Sequence, residues 1–141
     1  MNTNNLMMLL LISLPAGFVQ ADSLTVDSLL QSYTTQGEIQ ADAEQGKQMW
    51  QKIFKGDNEF PERSCASCHT QNLTNPGKHV KTNKDIKPMA PTINPERLSD
   101  SKKIEKWFKR NCKWTLAREC TAQEKASFLL YINNQANSQE L

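Results

Sequence analysis

Cys65-Ala66-Ser67-Cys68-His69 is the stretch on which the reading of this chain depends. Two thiols three positions apart, followed at once by an imidazole, form the C-x-x-C-H attachment signature of a c-type haem. Each thiol can add across one vinyl group of the same porphyrin, and the next residue places an imidazole under the iron. His69 is then the proximal ligand, with its other ring nitrogen donated to a backbone carbonyl that fixes the ring. A zinc site would need a second ligand pair at matching spacing, and Cys112 and Cys120 stand eight apart, not three. A thiol redox pair would sit in a βαβ setting, and no run of this sequence reads as a strand. The expected cofactor is one covalently bound haem c, held by Cys65 and Cys68.

Residues 1–21 carry no charged side chain. Their apolar run, Leu6-Met7-Met8-Leu9-Leu10-Leu11-Ile12-Ser13-Leu14, is too short to span a bilayer. The segment ends in Val19-Gln20-Ala21, a small-x-small cleavage pattern, and reads as a secretory signal peptide that lacks a basic residue in its n-region. Residues 22–141 are then one monohaem domain with no stable membrane insertion after cleavage. Haem attachment itself demands export, so the bacterial periplasm is expected. In that oxidising compartment Cys112 and Cys120, left over after haem attachment, can pair. Their disulfide would close a short loop, tie two helices together, and stabilise by about 2–3 kcal/mol.

The formal charge of +2 hides an asymmetry: residues 22–77 sum to −4, 78–118 to +8 and 119–141 to −2. A basic face can steer a protein toward an acidic partner. Nucleic acid is the other reading of basic patches, but an exported haem domain has no such partner. The excess also balances haem propionates on a solvated face.

Four helices are expected. Over 23–35, Val26, Leu29, Leu30 and Tyr33 form one stripe, ahead of the usual cytochrome core. Over 42–54, Asp42 caps the helix with Gln45 as box partner, and Gly46, Met49, Trp50, Ile53 and Phe54 share a face. Gly46 there is either a close helix crossing or a tolerated residue. Residues 70–98 have no period and carry Pro76, Pro88, Pro91 and Pro95, a long loop that would wrap a haem, with Val80, Ile86 and Met89 covering a porphyrin edge. Over 100–112, Ile104, Trp107, Phe108, Asn111 and Cys112 make the inner face, and Lys102, Lys103, Lys106, Lys109 and Arg110 the outer one. Over 121–134, Thr121-Ala122-Gln123-Glu124 is a capping box. The fold class is all-α, a small class I-type cytochrome c fold with an extra N-terminal helix and a long haem-wrapping loop.

Function turns on the group opposite His69. A Met there gives a closed iron suited to electron transfer, whereas an open or weakly held position admits small molecules. Met49 reads as core. Met89 comes twenty residues after His69, earlier than the ligand of an ordinary cytochrome. His79 reads as a surface residue. Asn111 lies at the end of an aromatic stripe, and a buried amide requires a partner: a cap, a neighbouring backbone group or the iron.

Several stretches together carry a resemblance: Cys65–His69, Arg110-Asn111-Cys112, Glu119-Cys120-Thr121, Glu124-Lys125-Ala126, Ala41-Asp42-Ala43-Glu44, Met89-Ala90-Pro91 and Ile104-Glu105-Lys106-Trp107. The chain resembles the Sphaeroides haem protein (SHP) family of monohaem class I-type cytochromes c. The resemblance implies that Asn111 is the distal iron ligand of the oxidised state and leaves on reduction. The five-coordinate iron then binds small diatomic molecules such as O2 or NO. It also implies a Cys112–Cys120 disulfide, and electrons from a dihaem cytochrome c linked to a membrane cytochrome b. The loop expected at 113–118 departs from the family, with Trp114 and Leu116 able to alter access to the distal side. Two other readings stand beside this one. The first is an ordinary His69/Met89 electron shuttle. The second is a small oxidoreductase that reduces O2, NO or peroxide, for which the sequence offers no positioned acid–base group.

Overall fold

The computed structural model describes residues 21–136. The signal segment expected at 1–21 lies outside the described residues apart from Ala21, where the first helix begins. Five helices and two short hairpins follow in chain order. They are α1 (Ala21–Thr34), α2 (Ala43–Gln51), β1 (Phe54–Lys55), β2 (Glu62–Arg63), α3 (Ala66–His69), β3 (Gly77–Lys78), β4 (Asp85–Ile86), α4 (Ser101–Leu116) and α5 (Ala122–Asn133), with a 3-10 turn at Asn134–Ala136. The fold is helical. Its strands pair only as two-residue antiparallel ladders, Phe54 with Arg63 and Gly77 with Ile86.

α5 is the centre of the core. Ala126, Phe128, Leu129, Tyr131 and Ile132 are all buried, because α1 and α2 pack on it. Its N-terminus is closed by the expected capping box. The Thr121 hydroxyl accepts from the Glu124 amide at 3.2 Å, and the Glu124 carboxylate accepts from the Thr121 amide at 2.9 Å. α1 buries Val26, Leu29 and Tyr33, three members of the stripe read from sequence. Tyr33 donates to the Glu105 carboxylate, which also takes Lys125 Nζ at 2.6 Å, so the extra helix is pinned to α4 and α5 together.

The Gly46 alternative is resolved in favour of a close crossing. A Cβ at Gly46 would lie 2.2 Å from the Ser127 carbonyl oxygen and 2.9 Å from Tyr131 Cβ. Beside this contact the fully buried Ser127 accepts from the Asp42 amide at 3.2 Å, so its hydroxyl is satisfied.

Helix ends differ from the sequence reading. Asp42 caps α2 through the Glu44 amide at 2.8 Å, and Gln45 is not its box partner. α2 stops at Gln51 because Lys52 turns extended and the chain enters the β1–β2 hairpin, which leaves Ile53 exposed. α4 runs one turn beyond Cys112 to Leu116, so Trp114 and Leu116 are helical and not in a loop.

The stretch 70–98 contains the β3–β4 hairpin and is otherwise held by backbone–backbone and side chain–backbone bonds. The Leu73 carbonyl accepts from both Met89 and Ala90 amides at 2.9 Å. Asn94 Nδ2 and Arg97 Nε donate to the Pro88 carbonyl at 3.1 and 2.9 Å. These bonds supply the backbone pairing that a segment without regular structure lacks.

Candidate haem site

α3 is one helical turn, with Cys65 at its N-terminal end and His69 at its C-terminal end. The geometry sets both thiols and the imidazole on a single turn. Neither Cys65 nor Cys68 is in a disulfide. Burial pushes the Cys65 thiol up to about 12, so it is neutral. His69 is driven the other way, to about 4, first by burial and then by the positive fields of Arg97 and His79. A neutral imidazole is the form that binds a metal. Its Nδ1 is buried with no hydrogen-bond partner, whereas a second ring nitrogen donated to a carbonyl was expected.

Trp50 fixes this turn from behind. Its ring lies 5.5 Å from that of His69, and its indole N–H donates to the Thr70 carbonyl at 2.9 Å. Thr70 has φ 66, a left-handed conformation that a β-branched residue rarely adopts. Phe128 and Tyr131 of α5 meet Trp50 edge-on at 6.3 and 5.9 Å. The motif is therefore anchored to the central helix through one indole. Sequence reading placed Trp50 on the apolar face of its helix but missed the contact with His69, since nothing local signals a meeting of residues nineteen apart.

α4 shows two faces. Ile104, Cys112 and Thr115 are buried, and Phe108 stacks on Phe128 at 6.3 Å. On another side, Trp107 is 47 % exposed and Asn111, one turn on, is exposed with no hydrogen bond to its side chain among the described residues. Of the three partners open to Asn111, neither a cap nor a backbone group is present among the described residues, and it shares with Trp107 a side of α4 that the polypeptide leaves open. Cys112 and Cys120 lie at disulfide distance, with Cα atoms 5.6 Å apart.

The remaining residues weighed for the distal position or the porphyrin edge lie elsewhere along the chain. Met49 and Met89 are half-buried against the core. His79 is half-buried rather than on the surface, and its Nδ1 accepts from the Lys81 and Thr82 amides at 3.2 and 3.3 Å, capping its own turn. Ile86 and Val80 are half-buried as well. A cleft of about 270 Å³ beside Glu105, Lys109, Cys120 and Lys125 includes neither His69 nor Asn111 and is not part of this site.

Among the described residues no three His, Cys, Asp or Glu side chains converge on one point. Two unpaired thiols, a neutral buried imidazole with an orphaned nitrogen, and a half-exposed indole beside a free amide fit a haem.

A helical frame closed on such a turn defines a small cytochrome of the c type. Residues 36–132 match a family model described as Domain of unknown function (DUF1924). The chain is 34% identical to the cytochrome c-type protein SHP of Cereibacter sphaeroides over 88% of its own length and 95% of that protein's. It superposes on oxidised SHP, an oxygen-binding cytochrome c, with a TM-score of 0.69 at 35% identity, covering 76% of this chain and 94% of the other. The solution structure of cytochrome c'' from Methylophilus methylotrophus, which concerns haem-ligand detachment, matches with a TM-score of 0.65 at 34% identity, over 77% and 92% of the two chains. The chain belongs to the family of SHP and cytochrome c''.

Proposed function

We propose that this chain is a periplasmic monohaem cytochrome c whose iron is closed by Asn111 when oxidised and opened to small diatomic molecules when reduced. The observation that carries the reading is the open side of α4, where Asn111 follows the half-exposed Trp107 by one turn and has no protein partner. In this reading Cys65 and Cys68 hold the haem covalently, and a haem supplies an iron that changes oxidation state and accepts a sixth ligand.

The residues of the chain do the rest. His69, kept neutral by burial, offers its lone pair on the proximal side. Trp50 and the Thr70 carbonyl hold the turn that carries it. Asn111 presents a neutral, hard amide oxygen, a donor better suited to ferric than to softer ferrous iron. Asn111 would therefore hold a reduced iron less firmly, and its departure would leave room for a molecule such as O2 or NO. The similarity to an oxygen-binding cytochrome c and to a protein of interest for haem-ligand detachment supports both halves of this cycle. Export by a signal peptide at 1–21 follows from the requirement for haem attachment. Electron delivery by a dihaem cytochrome c linked to a membrane cytochrome b completes it. Among the described residues no helix is long and apolar enough to cross a membrane.

The experiment is the ferric and ferrous spectrum of the haem-loaded protein and of Asn111→Ala. The variant keeps its haem, and its ferric iron becomes high-spin. An unchanged ferric spectrum removes Asn111 from the iron, and a Met–iron charge-transfer band in the parent restores the His69/Met89 shuttle. Comparing ligand binding with turnover by a reduced donor decides between a binding protein and an oxidoreductase.

A further inference from the structure

The β1–β2 hairpin ends two residues before Cys65, and its last residue, Arg63, reaches the C-terminal end of α4. The guanidinium lies over the Trp114 indole, 4.6 Å from the ring centroid, and Nη1 donates to the Trp114 carbonyl at 2.8 Å. Nη2 donates to the Asp57 carboxylate, on the turn of the same hairpin. Phe60 meets Trp114 edge-on at 6.2 Å. Gly56 leaves the room this requires, since a Cβ there would lie 2.7 Å from Arg63 Nε. The Arg63 side chain is 11% exposed, its bond to the Trp114 carbonyl is partly buried while its Asp57 partner is 62% exposed, and its Nε is buried with no partner.

What Arg63 grips is the turn just beyond Asn111. Trp114 follows Asn111 by three residues, one turn along α4. That helix ends at Ala117 in the left-handed region, φ 58, a costly ending for a residue with a Cβ. The C-terminal end of α4 is held from outside, by Cys112 toward Cys120 and by Arg63 toward the hairpin.

We propose that Arg63 is a positioning residue for Asn111: by tying the last turn of α4 to the hairpin that leads into Cys65, it sets how readily Asn111 leaves and regains the iron. The inference rests on Asn111 being the distal ligand. Arg63 need not touch the haem. It couples the two ends of the site mechanically, because one side chain joins the segment entering the attachment turn to the helix that carries the distal amide.

The test uses the haem-loaded full chain with Arg63→Gln, Arg63→Lys and Asp57→Asn. The readouts are amide exchange at residues 111–116 against α5, the ferric spin state, and the rate of carbon monoxide binding to the ferrous protein. Loss of the charged hydrogen bonds in Arg63→Gln speeds exchange at 111–116 about tenfold while α5 is unchanged. The ferric high-spin fraction and the carbon monoxide rate rise by roughly twofold or more, the size of coupling expected for a positioning contact. Arg63→Lys keeps the charge without the fork and recovers only part of the parent behaviour. Asp57→Asn moves the same readouts in the same direction by less, and it carries the test where Arg63→Gln does not accumulate. Unchanged exchange and spin state in the variants overturn the proposal, as does an equal rise in exchange across α5. An unchanged ferric spectrum in Asn111→Ala instead overturns the distal-ligand reading itself, whatever Arg63 does.

Discussion

Trp50 reports most directly on how this site is held. Its ring faces His69, and its N–H carries the Thr70 carbonyl while Thr70 sits at φ 66. A backbone held in that region costs roughly 1–3 kcal/mol and persists only where neighbours fix it. Trp50→Phe keeps the aromatic packing and removes the bond. The expected loss is about 1 kcal/mol of stability, read from the denaturant midpoint of the haem-loaded protein. A midpoint equal to the parent's would show that the indole N–H is dispensable. The contrast with Asn111 shows what was legible at this scale. The C-x-x-C-H spacing is local and announced both thiols and His69. The helical period placed Asn111 beside Trp107. That this side would be left open could not be read from spacing, because it depends on which faces of α4 find protein to pack against.

At the scale of elements the sequence was most readable where capping and period agree. Thr121 and Glu124 mark the start of α5, and Asp42 and Asp100 mark α2 and α4. It was least readable where a distant segment claims the chain. α2 ends early because residues 54–55 pair with 62–63, and Ile53 is then exposed despite its helical phase. Gly46 gives the sharpest prediction for the α2–α5 crossing. Gly46→Ala places a methyl 2.2 Å from the Ser127 carbonyl oxygen, which is backbone and cannot swing away. Such overpacking costs about 1–3 kcal/mol or more, visible as a lower melting temperature; a melting temperature within error of the parent would mean that the helices separate freely.

The α5 cap gives a pH prediction. Arg118 pairs with Glu124 at 2.6 Å and holds its carboxyl below the ordinary 4.5, assisted by the Thr121 amide. A carboxylate depressed in the folded state contributes stability above its unfolded pKa and loses it as pH falls through the folded value. The parent should therefore lose its stability advantage over Glu124→Gln below about pH 4.5 and keep it at pH 7. Acid titration of the two unfolding free energies measures this, and parallel curves would remove the cap from the pH response.

Over the whole molecule the charge asymmetry acquires a location. Lys102, Lys106, Lys109 and Arg110 of α4 are exposed, and among the described residues none has a carboxylate within salt-bridge distance. Lys103 and Lys113 instead pair with Asp100 and Glu119 at 3.8 and 3.2 Å. A cluster of unneutralised cations attracts an anionic partner even when the net charge is only +2. Salt acts on such exposed charges over a Debye length of about 10 Å at 0.1 M. Reduction of the ferric protein by an anionic donor should then slow several-fold between about 10 mM and 300 mM salt, while reduction by a neutral donor changes little. The double substitution Lys106→Glu and Lys109→Glu should slow the anionic reaction at low salt and flatten its salt dependence, with no change in the ferric spectrum. Stopped-flow rates across the salt series measure both effects. Because Lys106 and Lys109 have no side-chain hydrogen bond or ion pair among the described residues, a change in rate without a change in spectrum assigns the effect to encounter at this face, whereas a rate that ignores salt in the parent places electron entry elsewhere on the surface.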